Sequence, residues 1–195
     1  HMSIAYLNGE YLPLAEARIS PLDRGFLFGD GIYEVIPYYN GQSVGLMPHI
    51  ERMINGLAAI EIKSTLTADD WKTLLDDLIA RNSEVGENLG VYVHVSRGAD
   101  VKRLHAYPEN VEPTIFAFAF KIKDPEPADR TQAHQYSMIT TEDLRWQRCH
   151  IKSTALLGNV IHYQEGHAAG ADEAMLFNAK GELTEGSSTN VFIVK

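Results

Sequence analysis

An amine, a carboxylate and a run of hydroxyls in the last third of this 195-residue sequence have types and spacing that could do chemistry. Lys152 stands in Arg148-Cys149-His150-Ile151-Lys152-Ser153, where two-residue alternation puts Ile151 on one face and His150 and Lys152 on the other. Most lysines are solvated surface charges, and taken alone this one reads the same way. A lysine becomes a nucleophile at neutral pH when it is partly desolvated near other cations. Arg145 and Arg148 could supply that field. The second cluster, Leu183-Thr184-Glu185-Gly186-Ser187-Ser188-Thr189-Asn190, has the composition of a polar loop before a strand. It could equally form a ligand-binding turn, because Gly186 lets the backbone approach closely and three hydroxyls can donate. Glu185 could then serve a pyridine nitrogen, keeping it protonated and the ring strong as an electron sink.

Bulk properties narrow the classes of partner. Seventeen basic against 26 acidic residues leave a net charge of −9, which disfavours polyanions such as nucleic acid or an anionic membrane. An apolar fraction of 45% and a charged fraction of 22% are those of a soluble globular protein. No basic-then-apolar leader and no apolar run of about 20 residues are present. His1-Met2 reads as a cloning remnant. Cys149 is the only cysteine, so a reducing, cytoplasmic setting is expected, with Cys149 as a small buried residue. The eight histidines show no metal-ligand spacing, and no metal is expected.

The elements that must position these groups form an α+β pattern. Tyr6 to Leu12 reads as two short strands around the Asn8-Gly9 turn. A glycine-rich stretch from Asp23 to Gly31 leads into an alternating strand, Ile32 to Tyr39, and a second turn at Asn40-Gly41. Pro48 opens a helix with Ile50, Met53, Ile54 and Leu57 at helical spacing, and Thr67 caps another with Trp71, Leu74, Leu75, Leu78 and Ile79. Strands follow at Val91 to Ser96 and Thr114 to Phe120, the latter apolar on both faces as in a central strand. Charge and two prolines make 123–129 a linker between domains at 3–122 and 130–195. Beyond it come a strand at His134 to Thr140, a helix from Thr154 to Ala169, and a strand at Glu173 to Asn178. A last strand is expected at Asn190 to Val194, and its uncapped apolar end implies residues beyond Lys195.

Four stretches in order resemble one family. Asp23-Arg24-Gly25-x-x-Phe28-Gly29-Asp30-Gly31-x-Tyr33-Glu34, Pro48-His49-Ile50-Glu51-Arg52, Arg145-Trp146-x-Arg148-Cys149-x-Ile151-Lys152-Ser153 and Thr184-Glu185-Gly186-Ser187-Ser188-x-Asn190 resemble the class IV aminotransferases, pyridoxal-phosphate enzymes of fold type IV. The resemblance implies a small N-terminal α/β sandwich followed by a C-terminal pseudo-barrel, here incomplete. It also implies pyridoxal 5'-phosphate as cofactor. Lys152 becomes the Schiff-base lysine and proton shuttle, Glu185 the carboxylate on the pyridine nitrogen, Arg52 a phosphate ligand, and Ser188 a residue lining the pocket.

Within the family, Tyr33 and the pair Arg103 and His105 correspond to the carboxylate trap of D-amino-acid aminotransferases. There the Arg-x-His loop comes from the neighbouring subunit, so a homodimer with shared pockets is implied. Arginine holds a carboxylate bidentately, and the x of Arg103-Leu104-His105 lets both side chains share one side of an extended loop. The resemblance thus implies ping-pong transfer between a D-amino acid such as D-alanine and 2-oxoglutarate or pyruvate. A branched-chain L-amino-acid aminotransferase or an aminodeoxychorismate lyase is the rival within the family. The rival outside enzymes is a silent truncated fragment acting as a binding module.

Overall fold

The computed structural model describes residues 3–195. The chain divides into two compact units. One is everything up to Pro125 together with His150–Ala155, and the other is Glu126–Cys149 together with Leu156–Lys195. The passage at Pro125 falls inside the segment expected to be a linker. Lys152, expected within 130–195, belongs to the first unit.

Strands β1 (Ile4–Leu7), β2 (Glu10–Pro13), β3 (Gly31–Tyr39), β4 (Gln42–Ser43), β5 (Asn88–Ser96) and β6 (Thr114–Lys121) build the first unit. They form one antiparallel sheet in the order β2-β1-β6-β5-β3-β4. Both tight turns are where the Asn-Gly pairs predict them. Asn8, Gly9, Asn40 and Gly41 all take positive φ, the conformation that a two-residue hairpin with matching twist requires. Alternation along β3 and β5 buries Ile32, Ile36, Tyr38, Val91, Val93 and Val95 on one face. Helices α2 (Leu46–Ala59) and α3 (Ala68–Arg81) cover that face with Ile50, Met53 and Leu57 and with Trp71, Leu75 and Leu78. Each such side chain contributes about 1.5–3 kcal/mol on burial, enough to hold 14-residue helices that would be marginal alone.

Local signals set where these helices begin. Thr67 and Asp70 form a reciprocal capping box at α3. Helix α2 begins two residues before Pro48, after Gly45 in the left-handed region. Proline is tolerated there because the first turn of a helix has no use for its missing N–H. Strand β6 lies between β1 and β5, with Ala117 and Ala119 in the core. On its opposite face Phe116, Phe118 and Phe120 stack in a ladder at 5.7 and 5.9 Å, joined by Tyr92 at 5.5 Å.

The glycine-rich stretch contains a short helix, α1 (Arg24–Phe28), which periodicity could not reveal in five residues. Asp23 caps it by accepting from the Gly25 amide at 2.8 Å, and Gly29 ends it at φ 64°. A Cβ on Gly29 would lie 2.8 Å from that of Ala155, so glycine is needed both for conformation and for room.

The second unit holds β7 (Met138–Glu142), α4 (Leu157–Ala168), β8 (Glu173–Phe177) and β9 (Leu183–Gly186). Strands β7 and β8 run parallel with α4 between them in sequence, and β9 pairs antiparallel with β8 in an open three-stranded sheet. Strand β7 is displaced by several residues from the predicted span. The strand expected at Asn190 to Val194 does not form. No described strand lies beside it, and Phe192, Ile193 and Val194 are more than three-quarters exposed. Among the described residues no helix is long and apolar enough to cross a membrane, and no acidic, histidine or cysteine grouping could hold a metal ion.

Candidate active site

Lys152 is set in place by backbone pairing across a long sequence gap. The segment His150–Ala155 lies against the start of β3: Tyr33 N–H donates to the Lys152 carbonyl at 3.1 Å and Thr154 N–H to the Gly31 carbonyl at 3.0 Å. Ile151 anchors the segment in the core at 4% exposure. Lys152 is half-buried, its Nζ 3.3 Å from Tyr33 Oη and 4.4 Å from the ring centroid. No carboxylate pairs with this amine among the described residues. An unpaired, partly desolvated amine meets one of the conditions for a nucleophilic lysine.

Arg52, on the exposed side of α2, turns Nε and Nη2 to the two oxygens of Glu34 at 2.5 and 2.6 Å. Glu34 is fully buried on β3, at a position where the alternation calls for an apolar residue. His49 Nδ1 meets it at 2.8 Å. Two partners offset the desolvation of that carboxylate, and its hydrogen bonds hold the Arg52 guanidinium above its ordinary pKa. Neither bond uses Nη1, and the arginine is half exposed. It borders a cleft of about 390 Å³ that Asn55, Gly56, His150 and Ile151 also line.

Arg103 and His105 come together at the ring of Phe28. The Arg103 guanidinium lies 4.8 Å from the ring centroid and the His105 ring meets it edge-on at 5.3 Å. Both side chains are exposed.

In the second unit, Glu185 Oε1 accepts from Arg145 Nη1 at 2.9 Å, and Oε2 takes no part in that bond. Asp143 grips the same guanidinium through Nε and Nη2 and accepts from the Thr184 hydroxyl at 2.8 Å. Hydrogen bonding to Arg145 draws the Asp143 pKa down to about 2 against the effect of burial, with Thr184 helping. Ser188, expected to line a pocket, spends its N–H and Oγ on Glu173 Oε2 at 3.1 and 2.8 Å. Glu173 is a buried carboxylate at the start of β8 that also accepts from Ser187 and Thr189. Burial pushes its pKa up, but the donors of Ser187, Ala174, Ser188 and Thr189 outweigh it and bring it to about 2.

These two acids predict an acid transition. A depressed carboxylate stabilises the fold fully above its unfolded pKa and loses that contribution as pH falls through the folded one. For Glu173 the window runs from 4.5 down to about 2, with about 3 kcal/mol at stake. Melting temperature followed across that window should drop steeply in the native chain and less steeply in Glu173→Gln.

The sequence pointed to Lys152, the Arg-x-His pair and Glu185 as candidates and gave no role to Glu34, Asp143 or Glu173. Glu34 left a signal, an acid at an inward position of an alternating strand. Glu173 left none, because its hydroxyl partners lie 14 to 16 positions on, and Asp143, although Arg145 stands two residues away, gave no sign of its bond to Thr184 41 positions on. Cys149, expected to be buried, is exposed, with its thiol donating to the Trp146 carbonyl at 3.0 Å.

Each unit carries groups that fit pyridoxal phosphate. In the first, Lys152 offers an unpaired amine and Arg52 an uncommitted guanidinium nitrogen; in the second, Glu185 offers a carboxylate oxygen outside its bond to Arg145. Thr154 Oγ1 is buried without a hydrogen-bond partner two residues after the lysine. Residues 31–195 match the family described as amino-transferase class IV. D-alanine aminotransferase of Bacillus licheniformis is 38% identical over 188 residues, covering 96% of this chain and 64% of that protein. A solved branched-chain aminotransferase of Thermoproteus uzoniensis with norvaline superposes with a TM-score of 0.83 at 21% identity, covering 100% of this chain and 66% of the other. A T.th. branched-chain amino acid aminotransferase with pyridoxamine 5'-phosphate gives a TM-score of 0.81 at 21% identity, covering 96% and 63%. The chain thus spans just under two thirds of the length of the Bacillus relative.

Proposed function

The chain belongs to the class IV aminotransferases and has their fold, fold type IV, and on that premise we propose that it transfers an amino group between a D-amino acid of the D-alanine type and a 2-oxo acid such as 2-oxoglutarate or pyruvate. What supports the D-specific reading is the 38% identity to a D-alanine aminotransferase along nearly the whole chain. The Tyr33 beside Lys152 and the Arg103/His105 loop fit the same reading.

Class IV aminotransferases use pyridoxal 5'-phosphate. When bound it supplies an aldehyde that condenses with amines and a protonated ring that accepts the electron pair left by α-proton loss. In this proposal Lys152 Nζ would hold that aldehyde carbon when the cofactor is bound, and as a free amine would take the proton from the substrate α-carbon. Tyr33 Oη, 3.3 Å from Nζ, orients the amine. Arg145 and Asp143 fix Glu185 Oε1, leaving Oε2 as the acceptor that keeps the ring nitrogen protonated. Arg52 contributes to the phosphate, its charge already shared with Glu34, and Ser188 lines the pocket through the turn that Glu173 holds. Arg103, His105 and Tyr33 hold the substrate carboxylate, and we assign the Arg-x-His loop to a neighbouring subunit of a homodimer. With one cysteine in the sequence and so no internal disulfide, the enzyme is proposed to work in the cytoplasm.

Adding D-alanine to the yellow, cofactor-loaded protein tests this. We expect its visible absorbance to bleach with D-alanine and to persist with L-alanine. Bleaching by L-leucine instead would favour the branched-chain reading, and a protein that never takes up colour would favour a silent binding module.

A further inference from the structure

The loop carrying Arg103 and His105 runs from Gly98 to Pro113 without a regular helix or strand, and every side chain from Val101 to Tyr107 is exposed. A stretch of that length with so little apolar burial has few contacts of its own to fix it. Both ends of its first half are nevertheless tied down. Gly98 starts it at φ 105°, where a Cβ would overlap the Glu112 carbonyl, and Arg97 spans Asp30 and the carbonyls of Ile60 and Glu61 while stacking on Tyr107 at 3.5 Å.

Between those ties one side chain, Arg24, hydrogen-bonds the backbone of the tip. Arg24, the first residue of α1, is only 3% exposed. Its Nη1 donates to the Leu104 carbonyl, its Nη2 to the His105 carbonyl at 3.1 Å, and its Nε to Asp30 Oδ2 at 2.9 Å. Its guanidinium also lies 4.9 Å from the Phe28 ring, the same ring that Arg103 and His105 touch. Fixing the carbonyls of Leu104 and His105 fixes the peptide planes on either side of His105, and with them the direction in which its side chain leaves the backbone, while anchoring the chain one residue after Arg103. Only a planar fork with donors in three directions can do this while remaining paired to a carboxylate; an ammonium on a flexible stem has one point of charge.

We infer that Arg24 is a positioning residue for substrate binding: its fork clamps the carbonyls of Leu104 and His105 and so presents Arg103 and His105 in one fixed orientation. This rests on the proposed reading that Arg103 and His105 hold the substrate carboxylate. The clamp itself can be observed without turnover, by hydrogen exchange of the full chain. In Arg24→Lys, amides of 99–107 are expected to exchange at least about tenfold faster, with α3 and β5 unchanged. Arg24→Met is the second variant, with Asp30 still paired to Arg97. Unchanged exchange in 99–107 in a folded variant overturns the clamp, and so does global unfolding of both variants, which would make Arg24 a core residue only.

In the holoenzyme, Arg24→Lys should raise KM for D-alanine about tenfold with kcat changed less than about twofold. That rise should vanish in an Arg103→Ala background, because the clamp then has nothing to present. A fall in kcat at constant KM would overturn the inference. If Arg103→Ala leaves KM unchanged while the exchange result holds, the carboxylate-binding reading fails and the clamp on the loop stands.

Discussion

Replacing Lys152 with alanine is expected to abolish both covalent attachment of pyridoxal phosphate and turnover, while leaving the fold intact. The reason lies in how the residue is held. Its backbone carbonyl accepts from the Tyr33 amide, which alanine preserves, and the neighbouring Ile151 keeps its place in the core. Only the side chain is lost, and that side chain is proposed to do two jobs, anchoring the cofactor and moving the proton. Loss of a positioned general base alone costs about 10²–10⁴ in rate, and the missing anchor adds to it. Reduction with borohydride followed by mass measurement would report attachment directly: the native chain should gain the mass of the cofactor less one water plus two hydrogens, and the variant should not. A variant that still turns over would sink the assignment of Lys152.

For Arg103→Ala the expected change is in KM, upward by one to two orders of magnitude. A charge-assisted hydrogen bond contributes about 1.5–3 kcal/mol, and a carboxylate grip is the same before and during the reaction, so its loss weakens binding rather than slowing the bound substrate. The exposed position of Arg103 makes the substitution harmless to stability, which a thermal melt would verify. Steady-state kinetics with D-alanine as donor supply the number. An unchanged KM would remove Arg103 from the substrate site.

What could be read in the sequence follows the range of the interactions involved. The hairpins at Asn8-Gly9 and Asn40-Gly41, the helices with Ile50, Met53 and Leu57 or Trp71, Leu75 and Leu78, and the cap at Thr67 are local patterns, and the structure has them where expected. The apolar run Val191 to Val194 misled because strand formation depends on a neighbour, and none of the described strands supplies one. Strand β9 was hidden for the opposite reason: Leu183–Gly186 looks like a polar loop and becomes a strand by pairing with β8. At the site, residue types alone left Lys152, Glu185 and the Arg-x-His pair looking like solvated surface groups, and the resemblance to the class IV aminotransferases made them candidates. The groups that hold them did not stand out. Glu34 pairs with Arg52 18 residues on, Arg145 with Glu185 40 residues on, and Arg24 with the His105 carbonyl 81 residues on. No local spacing encodes such partners.

The short stretch His150–Ala155 belongs to one unit while the chain on either side belongs to the other. During synthesis, then, the first 125 residues can emerge and collapse without the lysine, and the beginning of β3 waits for a partner about 120 positions downstream. Closing so long a loop is slow relative to making hairpins and helices. The amine is therefore among the last pieces to reach its place, after the scaffold that receives it has formed. A nascent chain interrupted before residue 150 would hold the six strands of the first sheet with no amine to carry a cofactor.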